Sequence, residues 1–132
     1  MHPAYIGPKC QLDGIVKRFY QEVYERGVYI DKDVMITFSE KMNTCILHDN
    51  AVGCTYGLQK VEILATYWVD VDCELREALV YHELGHAILR LGHKDHTLMD
   101  PYVEKTRDCL QSDRNACLDE ALNRYLARDW YF

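Results

Sequence analysis

The stretch 72–91, DCELREALVYHELGHAILRL, constrains this chain more than any other. Leu75, Leu79, Val80, Leu84, Ala87, Ile88 and Leu91 recur at helical spacing, yet they cover most sides rather than one stripe. A helix apolar on most sides is stable only when other elements surround it, so this one is expected at the centre of the fold. Asp72 is a plausible N-cap, and Glu74 and Glu77 favour the first turns through the helix dipole. Gly92 marks the expected end, near Leu91.

Inside that apolar helix lies His82-Glu83-Leu84-Gly85-His86, the HExxH pattern. Residues four apart share a helix face one turn up, so two imidazoles at this spacing converge on one ion, at zinc–nitrogen distances of ~2.0–2.1 Å. Glu83 sits beside the first histidine on a different part of the helix surface. There it can act as general base toward water at the metal without being a ligand. Two histidines and a glutamate are expensive to bury on such a helix without a compensating partner.

A catalytic zinc commonly has three protein ligands and one open position. The downstream candidates are His93, Asp95, His96, Glu104 and Glu120. A histidine still helical at position 93 would lie ~10 Å along the axis from His86, too far to share an ion. Gly92 permits a left-handed turn that swings the chain back, which makes His93 the first choice and His96 its competitor. Asp95 is expected to orient an imidazole through its second nitrogen. A glutamate ligand, Glu104 or Glu120, remains the alternative.

Around the central helix the 132 residues suffice for one domain, 1–132. Ile15, Phe19 and Val23 predict a helix over 12–26, with Gly27 as its C′ residue. Alternation predicts strands over 34–38, 45–48, 54–57 and 61–66, the last with Val61, Ile63 and Ala65 on one face. A Pro-containing loop is expected over 94–106. Ser112 or Asp113 then caps a closing helix with Cys117, Leu118, Ala121, Leu122 and Tyr125 as its buried stripe. His2 and His48 are expected at the surface.

A formal charge of −6 and scattered Lys and Arg exclude a nucleic-acid-binding surface as the main function. No run approaches the ~20 apolar residues of a membrane span. Residues 1–10 lack the apolar core of a signal peptide and look like a mature segment behind a start codon, so a leader is expected to have been removed. Six cysteines without a CxxC pair point to disulfides in an exported protein. Cys45–Cys54 and Cys109–Cys117 are the local pairs, which leaves Cys10 with Cys73, although six thiols allow 15 connectivities.

The run 82–102, HELGHAILRLGHKDHTLMDPY, resembles the active site of the metzincin clan of zinc peptidases. Metzincins carry HExxHxxGxxH and then a methionine-containing tight turn, to which Leu98-Met99-Asp100-Pro101 is similar. Within the clan the likeness is to small bacterial metalloproteases, many exported or lipid-anchored, and it extends to Tyr67-Trp68 and Gly53-Cys54. Two positions depart from the pattern: Leu89 replaces the glycine, and the third histidine is displaced by one residue, to 93.

The resemblance implies an α+β fold, a compact metzincin-like domain. A small twisted mixed sheet would be joined by an N-terminal helix, a central active-site helix and a C-terminal helix. It implies a zinc-dependent endopeptidase with His82, His86 and His93 as ligands, Glu83 as base and Met99 beneath the metal. The substrate would be a peptide or protein in extended form, most plausibly added to the strand edge at 52–57. Tyr102, at a spacing unlike the clan's functional tyrosine, is expected to pack at the cleft wall. A monomer is expected, secreted or in the cell envelope, with a lipid anchor conceivable in a longer precursor. Two rivals stand beside this reading: a gluzincin-like peptidase with a glutamate third ligand, and a catalytically silent zinc-containing binding module.

Overall fold

A computed structural model describes residues 10–42, 51–57 and 59–129. The first helix, α1 (Leu12–Glu25), buries Ile15, Phe19 and Val23, the three residues whose spacing predicted it. It stops where Gly27 takes a left-handed φ of 84°. The Gly27 N–H donates to Tyr24 O at 2.9 Å and the Val28 N–H to Val23 O at 3.2 Å, closing the helix as a glycine C′ residue should.

Among the described residues three strands follow, β1 (Met35–Ser39), β2 (Gly53–Tyr56) and β3 (Lys60–Leu64), in the sheet order β1-β3-β2. β1 runs parallel to β3, with Ile36 opposite Val61 and Phe38 opposite Ile63. β2 runs antiparallel to it, with Gly53 opposite Ile63 and Thr55 opposite Val61. The sheet is therefore mixed, and among the described residues β2 forms one of its edges. The expected strand at 45–48 lies outside the described residues, as do Cys45, His48 and His2.

β3 ends at Leu64, two residues before the expected limit, and Ala65 opens a short helix, α2 (Ala65–Asp70). The turn carries Trp68 into the core. Trp68 is buried, the Arg76 guanidinium lies 4.7 Å from its ring centroid, and Arg76 Nε donates to its carbonyl at 2.9 Å.

The central helix, α3 (Cys73–Ala87), starts as predicted: Asp72 accepts the Leu75 N–H at 3.0 Å. Nearly every residue from Arg76 onward is buried, consistent with apolar side chains on most sides. Its far end corrects the expectation. The helix stops at Ala87, not near Leu91, and the left-handed residue is Arg90 at φ 59°, not Gly92. The last turn widens before the break, with the Leu89 N–H reaching Leu84 O at 3.3 Å and the Leu91 N–H reaching Gly85 O at 3.0 Å.

The expected loop over 94–106 is also shorter, because α4 (Val103–Ser112) begins within it. Asp113 breaks the chain and caps α5 (Arg114–Asp129), its carboxylate accepting the Ala116 N–H at 3.1 Å. Cys117, Leu118, Ala121 and Leu122 are buried, with Tyr125 packed beside them. The hydrophobic core joins α1, β3 and α2 to α3, α4 and α5, so the molecule is α+β with α3 at its centre.

Cys10 pairs with Cys73 and Cys109 with Cys117. Cys54 is also disulfide-bonded, and the partner expected for it, Cys45, lies outside the described residues. Two disulfides fit an extracellular protein. Among the described residues no helix is long and apolar enough to cross a membrane.

Candidate metal centre

The last turns of α3 bring His82 and His86 onto one face, and the main chain fixes how each ring is aimed. His82 Nδ1 lies 3.2 Å from the carbonyl of Leu98, and His86 Nδ1 lies 2.7 Å from that of Leu91. A carbonyl oxygen only accepts, so each Nδ1 must carry the proton and each Nε2 of a neutral ring holds a bare lone pair. Burial, helped by the neighbouring His86, pushes the His82 imidazole down to about 3, and burial lowers His86 as well. Both rings are therefore neutral near pH 7. Their Nε2 atoms lie 3.1 Å apart with no proton to share.

Two lone pairs facing at that distance repel unless a cation lies between them. The spacing is close to the ~3.3 Å separating two nitrogens on a tetrahedral ion with bonds of ~2.0–2.1 Å. His93 completes the group: one ligand atom from each of His82, His86 and His93 lies within 4.8 Å of the others. The His93 ring centroid is 5.2 Å from that of His82 and 4.8 Å from that of His86. Among the described residues this is the only such group of His, Cys, Asp or Glu that could hold a metal ion. Burial falls from His82 through half-buried His86 to exposed His93, so the group opens to solvent on one side.

The segment after α3 is bound to itself and to the helix. Met99 is fully buried, and a Cβ built on Gly85 would come within 2.3 Å of its sulfur. The glycine of HELGH is thus the space that Met99 occupies. Asp100, also buried, accepts the His96 N–H at 2.7 Å and the Tyr102 N–H at 2.9 Å. Thr97 Oγ1 donates to Lys94 O at 2.8 Å and accepts the Met99 N–H at 3.1 Å. Thr106 Oγ1 lies 3.0 Å from Leu98 O, the same carbonyl that aims His82. These contacts fix the path that carries His93 and the Leu98 carbonyl.

Glu83 lies against Thr55 and Gly53 of β2. Only 4% of it is exposed, and burial pushes its carboxyl up to about 7 although a hydrogen bond from Thr55 opposes the rise. Thr55 Oγ1 lies 2.9 Å from Glu83 Oε1 and 3.1 Å from the Glu83 carbonyl. A carboxyl poised near neutrality is suited to taking and returning a proton.

The remaining candidates lie apart from this group. His96 is exposed, with a left-handed φ of 63°, and only its backbone is held, by Asp100. Asp95 is exposed, and the orienting role expected of it falls for His82 and His86 to the Leu98 and Leu91 carbonyls. Glu120 pairs with Lys94 and Arg124, each at 3.0 Å. Glu104 is exposed at the start of α4. Tyr102 is 64% exposed, with the Lys105 ammonium 5.8 Å from its ring centroid.

Sequence reasoning passed over Thr55, Thr97 and Thr106, and it placed Asp100 in the turn without a role for its carboxylate. Asp100-Pro101 was a legible signal, since Asp before Pro commonly turns the chain by accepting the N–H two residues on. The threonines carried none. Compared with known proteins, the chain matches no family model, no curated protein and no solved structure.

Proposed function

We propose that the chain is a zinc-dependent endopeptidase of the metzincin type, with His82, His86 and His93 as ligands and Glu83 as general base. The observation that carries this reading is the pair of Nδ1–H groups spent on main-chain carbonyls, which leaves two Nε2 lone pairs converging where His93 also reaches. Three imidazoles with one side open suit zinc, which prefers nitrogen ligands and leaves a position for chemistry. Bound there, zinc would polarise a substrate carbonyl and acidify a neighbouring water.

The chain's own part is proton movement and substrate alignment. Glu83 takes a proton from the attacking water and returns it to the departing amine. β2, an edge of the sheet among the described residues, offers main-chain groups to a peptide lying extended along 52–57. The Met99 turn, wedged against Gly85, keeps the floor of the group in place. Glutamate ligation is disfavoured because Glu120 is already paired with two cations. An exported location agrees with the disulfides.

Metal analysis of the purified protein, run beside a peptide-library digest, tests the proposal. About one zinc per chain is expected, with cleavage that a chelator abolishes and that Glu83→Gln lacks. A protein that holds no metal, and gains no cleavage when zinc is added, overturns it.

A further inference from the structure

We propose that Thr55 is a positioning residue: its hydroxyl holds one oxygen of the Glu83 carboxyl so that the other stays free for proton transfer. The kinetic part of this inference rests on the peptidase reading, and the structural part does not.

The pleat of β2 sends alternate residues to the same side, so Gly53 and Thr55 both face α3 while Cys54 and Tyr56 face away. Each does something different to Glu83. Thr55 Oγ1 lies 2.9 Å from Oε1. At Gly53 a side chain is what must be missing, since a Cβ there would lie 3.0 Å from Oε2 and 2.7 Å from Leu79 Cδ1. One residue engages the first oxygen and the other clears space beside the second. Oε2 accepts no hydrogen bond among the described residues.

A hydroxyl is the right group for the first task. It donates to Oε1 when the carboxyl is ionised, and it still donates to Oε1 as a carbonyl-type oxygen once Oε2 has gained a proton. The same contact therefore persists through both protonation states, and the carboxyl does not have to rotate between them. Thr55 Oγ1 is also 3.1 Å from the Glu83 main-chain oxygen, so its anchor point moves with the helix turn that it serves. A methyl in place of the hydroxyl fills the same volume and leaves Oε1 in a nearly dry site without a donor.

The test compares Thr55→Val, Thr55→Ser and wild type. Valine suits an edge strand, and Thr55→Ala repeats the test should the valine variant misfold. With zinc bound, Thr55→Val is expected to lower kcat roughly 10-fold with KM and zinc content unchanged, while Thr55→Ser stays within about twofold of wild type. Without zinc, NMR couplings of labelled Glu83 should report one side-chain rotamer in wild type and Thr55→Ser, and averaging over several in Thr55→Val. A single rotamer and full turnover in both the valine and alanine variants would overturn the proposal. If wild type cleaves no peptide, the peptidase reading falls and the rotamer measurement alone decides the role of Thr55.

Discussion

Helix α3 carries two polar clusters on different faces, and they are built in opposite ways. Toward α1 and α5, Glu77 and Tyr81 meet Arg18, Glu22 and Arg114. Arg114 reaches Glu22 at 2.6 Å and Glu77 at 2.8 Å, Arg18 reaches Glu77 at 2.6 Å, and the Tyr81 hydroxyl donates to Glu22. Every charge there faces its opposite. One turn on, His82 and His86 show the same four-residue spacing as Glu77 and Tyr81, but their free nitrogens face each other 3.1 Å apart. A cluster whose donors and acceptors balance fastens helices together. A cluster with surplus lone pairs could hold a metal ion. Neighbouring positions of one helix thus form a rivet and a candidate socket.

The sharpest way to break the socket is to remove its third wall. His93→Ala is expected to weaken zinc binding by orders of magnitude, whereas His96→Ala leaves it within a few-fold, as competition with a chelating dye would measure. The reverse ranking would move the third ligand to His96.

Next in size is the separation of metal binding from chemistry. Glu83→Ala should keep its zinc and lose ~10²-fold or more in turnover. Loss of zinc together with activity would make Glu83 part of the socket itself.

The rivet should fail differently. Arg114→Met leaves Glu22 and Glu77 short of a cation, and about 2 kcal/mol of stability should go, less than for a fully buried pair because Arg114 is partly exposed. Zinc affinity should barely change. A variant that unfolds no more easily than wild type would mean that the network is only decorative.

The smallest effect is on acid stability. Burial alone would raise the Glu22 and Glu77 carboxyls, but hydrogen bonds from Arg114, with Tyr81 at Glu22 and Arg18 at Glu77, outweigh it and hold both below their ordinary value. Such groups stabilise the fold fully above the ordinary carboxylate pKa of about 4, and that contribution is lost as the pH falls through the depressed values. Melting curves of wild type and Arg114→Met should therefore converge on acidification below about pH 4. Curves that stay parallel would contradict the assigned cause.

How much of this could be read beforehand differs from element to element. α1 and the start of α3 were legible because periodicity and capping are local, and Asp72 and Gly27 act within a few residues of their own positions. α2 was not, since six residues give no periodic signal and the turn out of β3 depends on where Trp68 finds Arg76. α4 was hidden for a similar reason, with only Thr106 and Leu110 on its buried side. That His82 and His86 share a face was legible from spacing, and that His93 joins them from the need to end the helix. The residue that ends it was misread, because a non-glycine left-handed turn at Arg90 leaves no trace in composition. The α+β class and the mixed sheet were expected, while the sheet's register and Thr55 were not, because both depend on contacts between distant segments.

Because Leu91 and Leu98 lend only their carbonyls to the imidazoles, a point substitution at either one cannot delete the acceptor. The aim of both rings is inherited through the route of the chain rather than through the identity of those two letters. Mutational fragility should therefore be displaced to positions that never touch the rings' free nitrogens: Arg90 at the bend, Asp100 and Thr106 at the return. A saturation scan scored for metal retention would trace that route as a line of intolerant positions, with Leu91 and Leu98 tolerating any apolar residue of similar bulk.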